Sequence, residues 1–389
     1  MNNRYEQLDS IRGLAALTVL FGHVMYIIPA IAEGMGDSFL VTLLKYSPIH
    51  ALWSGHEAVI VFFILSGFVL SLPFYSGKQP SYLPYMAKRF SRIYIPYIIA
   101  VLVAILSSSF FYSGNVAYAS SWFNGMWGKD LTVSSALNHL FLLGDFDPTP
   151  FNTVIWSLVH EMRISILFPL IMLIILKLNW KAGLGIGFFL SCCFAILGFL
   201  LKPEYGTNIY ITLHYIFMFI IGALLAKHRD YLINKFQDIG RNYKLLLLFI
   251  SVGAYTYPWY FYDIKILHLT VINDWVVSIG ASLFIVIGLS SRTVASFLVK
   301  KPLIFLGKVS YSLYLYHIII VFSLVHILND IVPLYIVLLI SLPISLMFAY
   351  LAWLLVERPS MNLGRSWASF IVKRQPAQSV SQQRVPHNS

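Results

Sequence analysis

Residues 11–23 read IRGLAALTVLFGH. The run is apolar except at its ends, where Arg12 and His23 stand eleven residues apart. On an α-helix this spacing is almost three turns, so the two side chains share a face and lie about 16 Å apart along the axis. What such a pair does depends on the medium around the helix.

Composition identifies that medium. Of the 389 residues, 58% are hydrophobic and 11% charged, and the mean hydropathy is +0.75. Soluble domains carry about 25% charged residues, so too little polar surface is available here to cover a globule in water. The apolar residues recur in blocks of roughly 20, the length that crosses a hydrocarbon core. Ten such blocks fall at about 10–30, 55–73, 93–111, 153–176, 182–201, 209–226, 244–261, 271–290, 303–326 and 332–356. The sequence is therefore read as an all-α polytopic membrane protein with about ten transmembrane helices. The first block lacks a small-residue cleavage site and holds Arg12 and His23, so it reads as a retained span and not a signal peptide.

The basic residues orient the chain. With the N-terminus inside, 22 of the 27 Lys and Arg fall on the inner side. Only Lys45, Lys129, Lys202 and Lys265 are assigned to outer loops, and Arg163 lies within a span. Both termini are thus expected in the cytoplasm and the protein in the cytoplasmic (inner) membrane. Topology accounts for the net charge of +11 without a nucleic-acid partner. One transmembrane domain is expected over 1–374, followed by a disordered cytoplasmic tail over 375–389. The long outer connection at 112–152 reads as a cap over the outer face. Cys192 and Cys193 are adjacent within an apolar block, as packing residues and not a disulfide framework.

Charged groups inside a bilayer cost about 2.5–3.5 kcal/mol each on insertion scales, which makes each a functional hypothesis. The set comprises His23, His56, Glu57, His160, Glu161, Arg163, His214 and His317. Depth along the blocks places the histidines and acids in one layer between the midplane and the outer interface. Arg12, Lys88, Arg89 and Arg92 form a second layer at the inner interface. Singly, each has a plainer reading. Arg12 anchors topology and pairs with Asp9 at i,i+3; Lys88, Arg89 and Arg92 are anchors; His214 is a hydrogen-bonded packing residue; His160, Glu161 and Arg163 form a structural ion pair. Their combination outweighs any single member. The histidines lie on different spans without ligand spacing, so no metal site is expected.

These stretches resemble the acyltransferase-3 family of integral membrane acyltransferases, which includes enzymes that O-acetylate cell-surface polysaccharides. LDSIRGLAALTVLFGHV resembles its first-helix signature, GHEAVIVFFILSGFVLS its second-helix block, and AKRFSRIYIPY the basic start of its third helix. WSLVHEMRISILFPL, LGKVSYSLYLYH and VERPSMNL resemble later blocks in family order. In the fourth-span block the glutamate is kept as Glu161, whereas His160 and Arg163 depart from the family pattern.

The resemblance implies acetyl-CoA, or another short acyl-CoA, as a co-substrate in place of any permanently bound cofactor. It implies a saccharide or other cell-envelope hydroxyl as acceptor. Arg12, Arg89 and Arg92 would hold the donor's phosphates, which suit the planar guanidinium. His23 would act as general base or accept the acyl group itself, with Glu161 or Glu57 orienting its imidazole. Trp156, Ser157, His160, Arg163, Tyr311, Tyr314 and His317 are the candidates for the acceptor side and cavity wall. The alternatives are an exporter of a saccharide or lipid-linked intermediate, using the same groups as a proton relay, and a catalytically silent scaffold. No internal repeat of the transporter kind is visible.

Overall fold

The computed structural model describes residues 5–34, 38–77, 80–128, 132–262, 264 and 267–374. Arg4, Lys78, Lys129, Lys265 and Arg384, which enter the charge reading, and the expected tail at 375–389 lie outside the described residues. Within them the chain is helical and contains no strand. The main helices are α1 (Glu6–Tyr26), α2 (Gly55–Tyr75), α3 (Tyr82–Phe111), α4 (Ile155–Ile175), α5 (Trp180–Leu201) and α6 (Ile209–Lys227). They continue as α7 (Arg241–Tyr255), α8 (Thr270–Ser290), α9 (Lys301–Ile327), α10 (Leu334–Ala352) and α11 (Arg358–Arg374). A π-helical segment, Trp353–Glu357, joins α10 to α11.

Among the described residues, nine helical stretches are long and apolar enough to cross a membrane, α10 and α11 counting as one. The block expected at 244–261 is the exception. Its helix α7 has 15 residues and is followed by the separate turn Tyr257–Tyr260, which contains Pro258. Fifteen residues span about 22 Å, short of the hydrocarbon thickness. The chain nevertheless changes faces there. Near the end of α8, Gly288 packs on Ile11 of the first turns of α1, while Asp274 near its start pairs with His56 in the first turn of α2. The face where α1 begins is called the basic face below. Arg12 and Val372 line one cavity, so the start of α1 and the end of α11 share that face.

Close helix contacts are made where side chains vanish, as expected where lipid tails are as apolar as leucine. A Cβ on Gly13 would collide with the backbone of Gly307, and one on Gly307 would meet the Asp9 carbonyl. Gly67 and Gly222 do the same for α2 and α6, against Phe219 and Ile64. Helix α9 is the centre of the bundle and is buried over most of its length.

The described residues of the long connection at 112–152 fold over the end of α1 away from the basic face. They contain the short helices Ser121–Asn124 and Val133–Leu140, capped by the side chains of Ser120 and Thr132. The Ser120 amide donates to the Ile27 carbonyl and Trp127 donates to the Phe151 carbonyl, so the cap is pinned to the top of α1 and to itself. His139, in the second short helix, is held below its ordinary pKa by burial.

Gly307→Leu is expected to force α1 and α9 apart, with overpacking that costs about 1–3 kcal/mol or more. Thermal unfolding of the purified variant in detergent should show a clearly lowered midpoint. An unchanged midpoint would mean that the glycine contact is not under constraint.

Candidate active site

Early in α3, Lys88 and Arg89 are adjacent and Arg92 follows about one turn later. With Arg12 they line a cavity of about 470 Å³ that also takes in Ser66, Glu161, Tyr311 and Tyr314. This is the size of a small-molecule site. Four cations face a single carboxylate in its lining. That carboxylate is committed: Arg89 Nη2 donates to Glu161 Oε1 at 2.9 Å and to Ser165 Oγ at 2.7 Å, and Ser66 donates to Glu161 Oε1 at 3.2 Å. Arg12 reaches Asp9 at 3.3 Å. Lys88 and Arg92 make no hydrogen bond or ion pair among the described residues. In a site walled by apolar helices such an excess of positive charge attracts an anion strongly, because little water screens it.

Farther along the helices from the arginines, the cavity is lined by Ser157, Tyr311 and Tyr314. Ser157 Oγ and Tyr314 OH are 2.7 Å apart, and Tyr311 donates to the Ile93 carbonyl. One turn beyond Tyr314 on α9 stands His317, their rings 6.2 Å apart. His317 Nε2 lies 3.0 Å from His23 Nδ1. His317 Nδ1 is 2.8 Å from the Leu313 carbonyl, and His23 Nδ1 is also 3.0 Å from that of Val19. The carbonyls dictate the tautomers, since a carbonyl only accepts. His317 carries its proton on Nδ1 and accepts at Nε2, so His23 carries its proton on Nδ1. The lone pair of His23 is left on Nε2. Trp122 of the cap stacks on the same ring at 5.7 Å.

This arrangement corrects the expectation that Glu161 or Glu57 orients His23. Glu161 belongs to the arginine layer through Arg89. Glu57 is buried and accepts from Trp259 Nε1 at 3.0 Å. The orienting group is His317, on a helix almost 300 residues along the chain, which sequence reading placed only in the cavity wall.

Of the residues expected at the cavity wall, Ser157, Tyr311 and Tyr314 line it, whereas Trp156, His160, Arg163 and His317 do not, and His23 too stands outside the lining. Arg163 donates to the carbonyls of Leu143, Gly144 and Thr207 and to Thr212 Oγ1. His160 contacts Thr212 Oγ1 at 2.8 Å and the Gly206 carbonyl at 3.0 Å. Both tie α4 to the loops on the face opposite the arginines. Trp156 lies parallel to His56, centroids 5.6 Å apart. Sequence reading missed Ser66, Ser165, Asp274 and Glu357. Glu357 accepts from Ser312 at 2.6 Å and sits near enough to act electrostatically on Arg92 and Arg12. Asp274 had a legible signal, an acid early in an apolar span.

Residues 5–356 match the acyltransferase-3 family, described as an acyltransferase domain. The fold and site thus define a multi-pass membrane acyltransferase, and the chain belongs to the acyltransferase-3 family. It is 28% identical over 193 residues to the acyltransferase MdmB of Streptomyces mycarofaciens, a match covering 49% of this chain and 46% of that protein. The chain therefore spans about half the length of this curated relative. No solved structure shows a significant match.

Arg163→Ala removes the donor shared by three loop carbonyls. Hydrogen bonds from a charged group contribute about 1.5–3 kcal/mol each at most, so a loss of about 2 kcal/mol is expected in thermal or denaturant unfolding. Activity per folded molecule should persist. A loss of activity with full stability would return Arg163 to the reacting site.

Proposed function

We propose that the protein moves an acetyl or other short acyl group from acyl-CoA to a hydroxyl of a saccharide or cell-envelope acceptor. In this reading the basic face lies in the cytoplasm and the bundle in the cytoplasmic membrane, with most Lys and Arg inside. The observation that carries it is the net-positive cavity lined by Arg12, Lys88, Arg89 and Arg92, whose wall extends to Tyr314, the ring neighbour of His317. Coenzyme A fits such a site chemically, because its phosphates are multiply charged and its pantetheine arm is long and only weakly polar.

Arg12, Lys88 and Arg92 hold the phosphates, while Glu161 fixes the fork of Arg89 at the cavity wall. The arm runs past Tyr311 and Tyr314, and the thioester reaches the level of His23, about 16 Å above Arg12. There the free Nε2 lone pair attacks the thioester carbon. The new C–N bond replaces the C–S bond, the thiolate leaves, and the Nδ1 proton passes to His317 Nε2. The acyl group then goes to the acceptor oxygen as the hydroxyl proton is given up, the C–N bond breaks, and His317 returns its proton to His23 Nδ1; the thiolate takes a proton from water. Ser157 and Tyr314 shape the passage between the two levels.

The test uses protein in nanodiscs with radiolabelled acetyl-CoA. Arg12→Ala and Arg92→Ala each remove a charge-assisted contact of about 1.5–3 kcal/mol, a weakening of donor binding of about 10- to 100-fold. His23→Ala keeps binding and loses turnover. Wild type that binds no acyl-CoA, or variants that match wild type, would overturn the proposal.

A further inference from the structure

A second imidazole group stands outside the His23–His317 pair. His56 Nε2 is 2.6 Å from Asp274 Oδ1, and His214 Nε2 is 3.2 Å from Asp274 Oδ2. His214 Nδ1 meets Ser191 Oγ at 2.7 Å, and that oxygen accepts from Trp275 Nε1 at 2.9 Å. The hydrogen-bonding roles follow from the ends. Trp275 only donates, so the Ser191 hydroxyl hydrogen is free for His214 Nδ1, and His214 donates from Nε2 to Asp274. The remaining carboxylate oxygen accepts from His56 Nε2. His56 then keeps its lone pair on Nδ1, which has no hydrogen-bond partner among the described residues.

Exposure divides the group unequally. The side chain of Asp274 is 1% exposed and that of His214 3%, whereas His56 is 36% exposed. Here the buried side is fully paired, and an accessible nitrogen is left at the other end. This is the arrangement in which a buried carboxylate sets the tautomer of a histidine base.

The group also stands at the level of the reaction. Gly22 packs directly on Gly55 and on the Trp53 carbonyl, so the next residues, His23 and His56, leave two touching helices at one height. Trp156, parallel to His56, is followed in sequence by Ser157, whose hydroxyl touches Tyr314 beside His317. His56 is in the first turn of α2, at the end away from the basic face.

We propose that His56, held by Asp274 and His214, is the general base that takes the proton from the acceptor hydroxyl on the face opposite the donor cavity. The inference rests on the acyl-transfer reading above. As His56 Nδ1 takes the hydroxyl proton, the oxygen forms its bond to the acyl carbon and the bond from that carbon to His23 breaks. The proton on His56 then leaves to water on its own face, and the thiolate released earlier takes a proton on the other. Asp274 and His214 are positioning residues. His23 handles the acyl group, and His56 handles the nucleophile.

Full-length protein in nanodiscs with acetyl-CoA tests this through the choice of nucleophile. Water and glycerol are poor nucleophiles until deprotonated, whereas hydroxylamine attacks without a base. His56→Gln can still donate to Asp274 but offers no basic nitrogen. It should lower acetyl transfer to water and glycerol about 10²-fold or more and leave transfer to hydroxylamine close to wild type. Asp274→Asn should show the same split to a smaller degree. Equal loss toward all nucleophiles would make the group structural, and unchanged transfer to glycerol and water would remove His56 from the chemistry; either overturns the proposal. Wild type that consumes no acetyl-CoA would instead overturn the donor reading, and this inference with it.

Discussion

The backbone-to-backbone contact of α1 with α9 at Gly13 and Gly307 is the constraint on which the rest of the site depends. Leucine or valine at either position would separate the two helices by the thickness of a side chain. At that separation His317 would no longer reach His23. The same approach sets Arg12 at the wall of the cavity that Tyr311 and Tyr314 of α9 complete. A contact made of missing atoms therefore sets both Arg12 and the His23–His317 pair against α9. In lipid, where apolar side chains gain little by leaving their surroundings, close packing of small residues is how helices associate.

The charges around this path are arranged for an occupant more than for the folded chain. Four cations line the lower cavity and only Glu161 among its lining residues balances them. Arg89 is rigidly paired to Glu161 and Ser165, and Glu357 lies behind, bonded to Ser312. Arg92 and Lys88 remain available. Arg92, half-buried among apolar helices, is costly to leave unpaired, and in the proposed function the donor's phosphates offset that cost.

Away from the basic face, identical residue types serve different ends. His160 and Arg163 spend their donors on loop carbonyls and hold the cap region to α4. His214 is fully satisfied between Ser191 and Asp274. His23 and His56 each retain a free ring nitrogen. The difference is made by where the partners stand: His160 and His214 have one at each ring nitrogen, whereas the partners of His23 and His56 all lie at one nitrogen and leave the other free.

Much of this was legible in the chain itself. Hydrophobic blocks of membrane length, the one-sided distribution of Lys and Arg, and the Arg12–His23 spacing are local properties, set by helix geometry and by the solvent the helix faces. They suffice for the class of fold and for the family, but not for the layers of ionisable groups, since Glu161 joins the arginines. Block length alone made α7 too long, because a break before Pro258 is a matter of local backbone and not of hydropathy. Which acid meets which base was not legible. Glu161 turned to Arg89 instead of His23, and Asp274 joined His56 to His214 across α2, α6 and α8. Such pairings depend on the rotation of each helix about its axis. Rotation is decided by which small residues let neighbouring backbones touch, so only the tertiary structure could supply it.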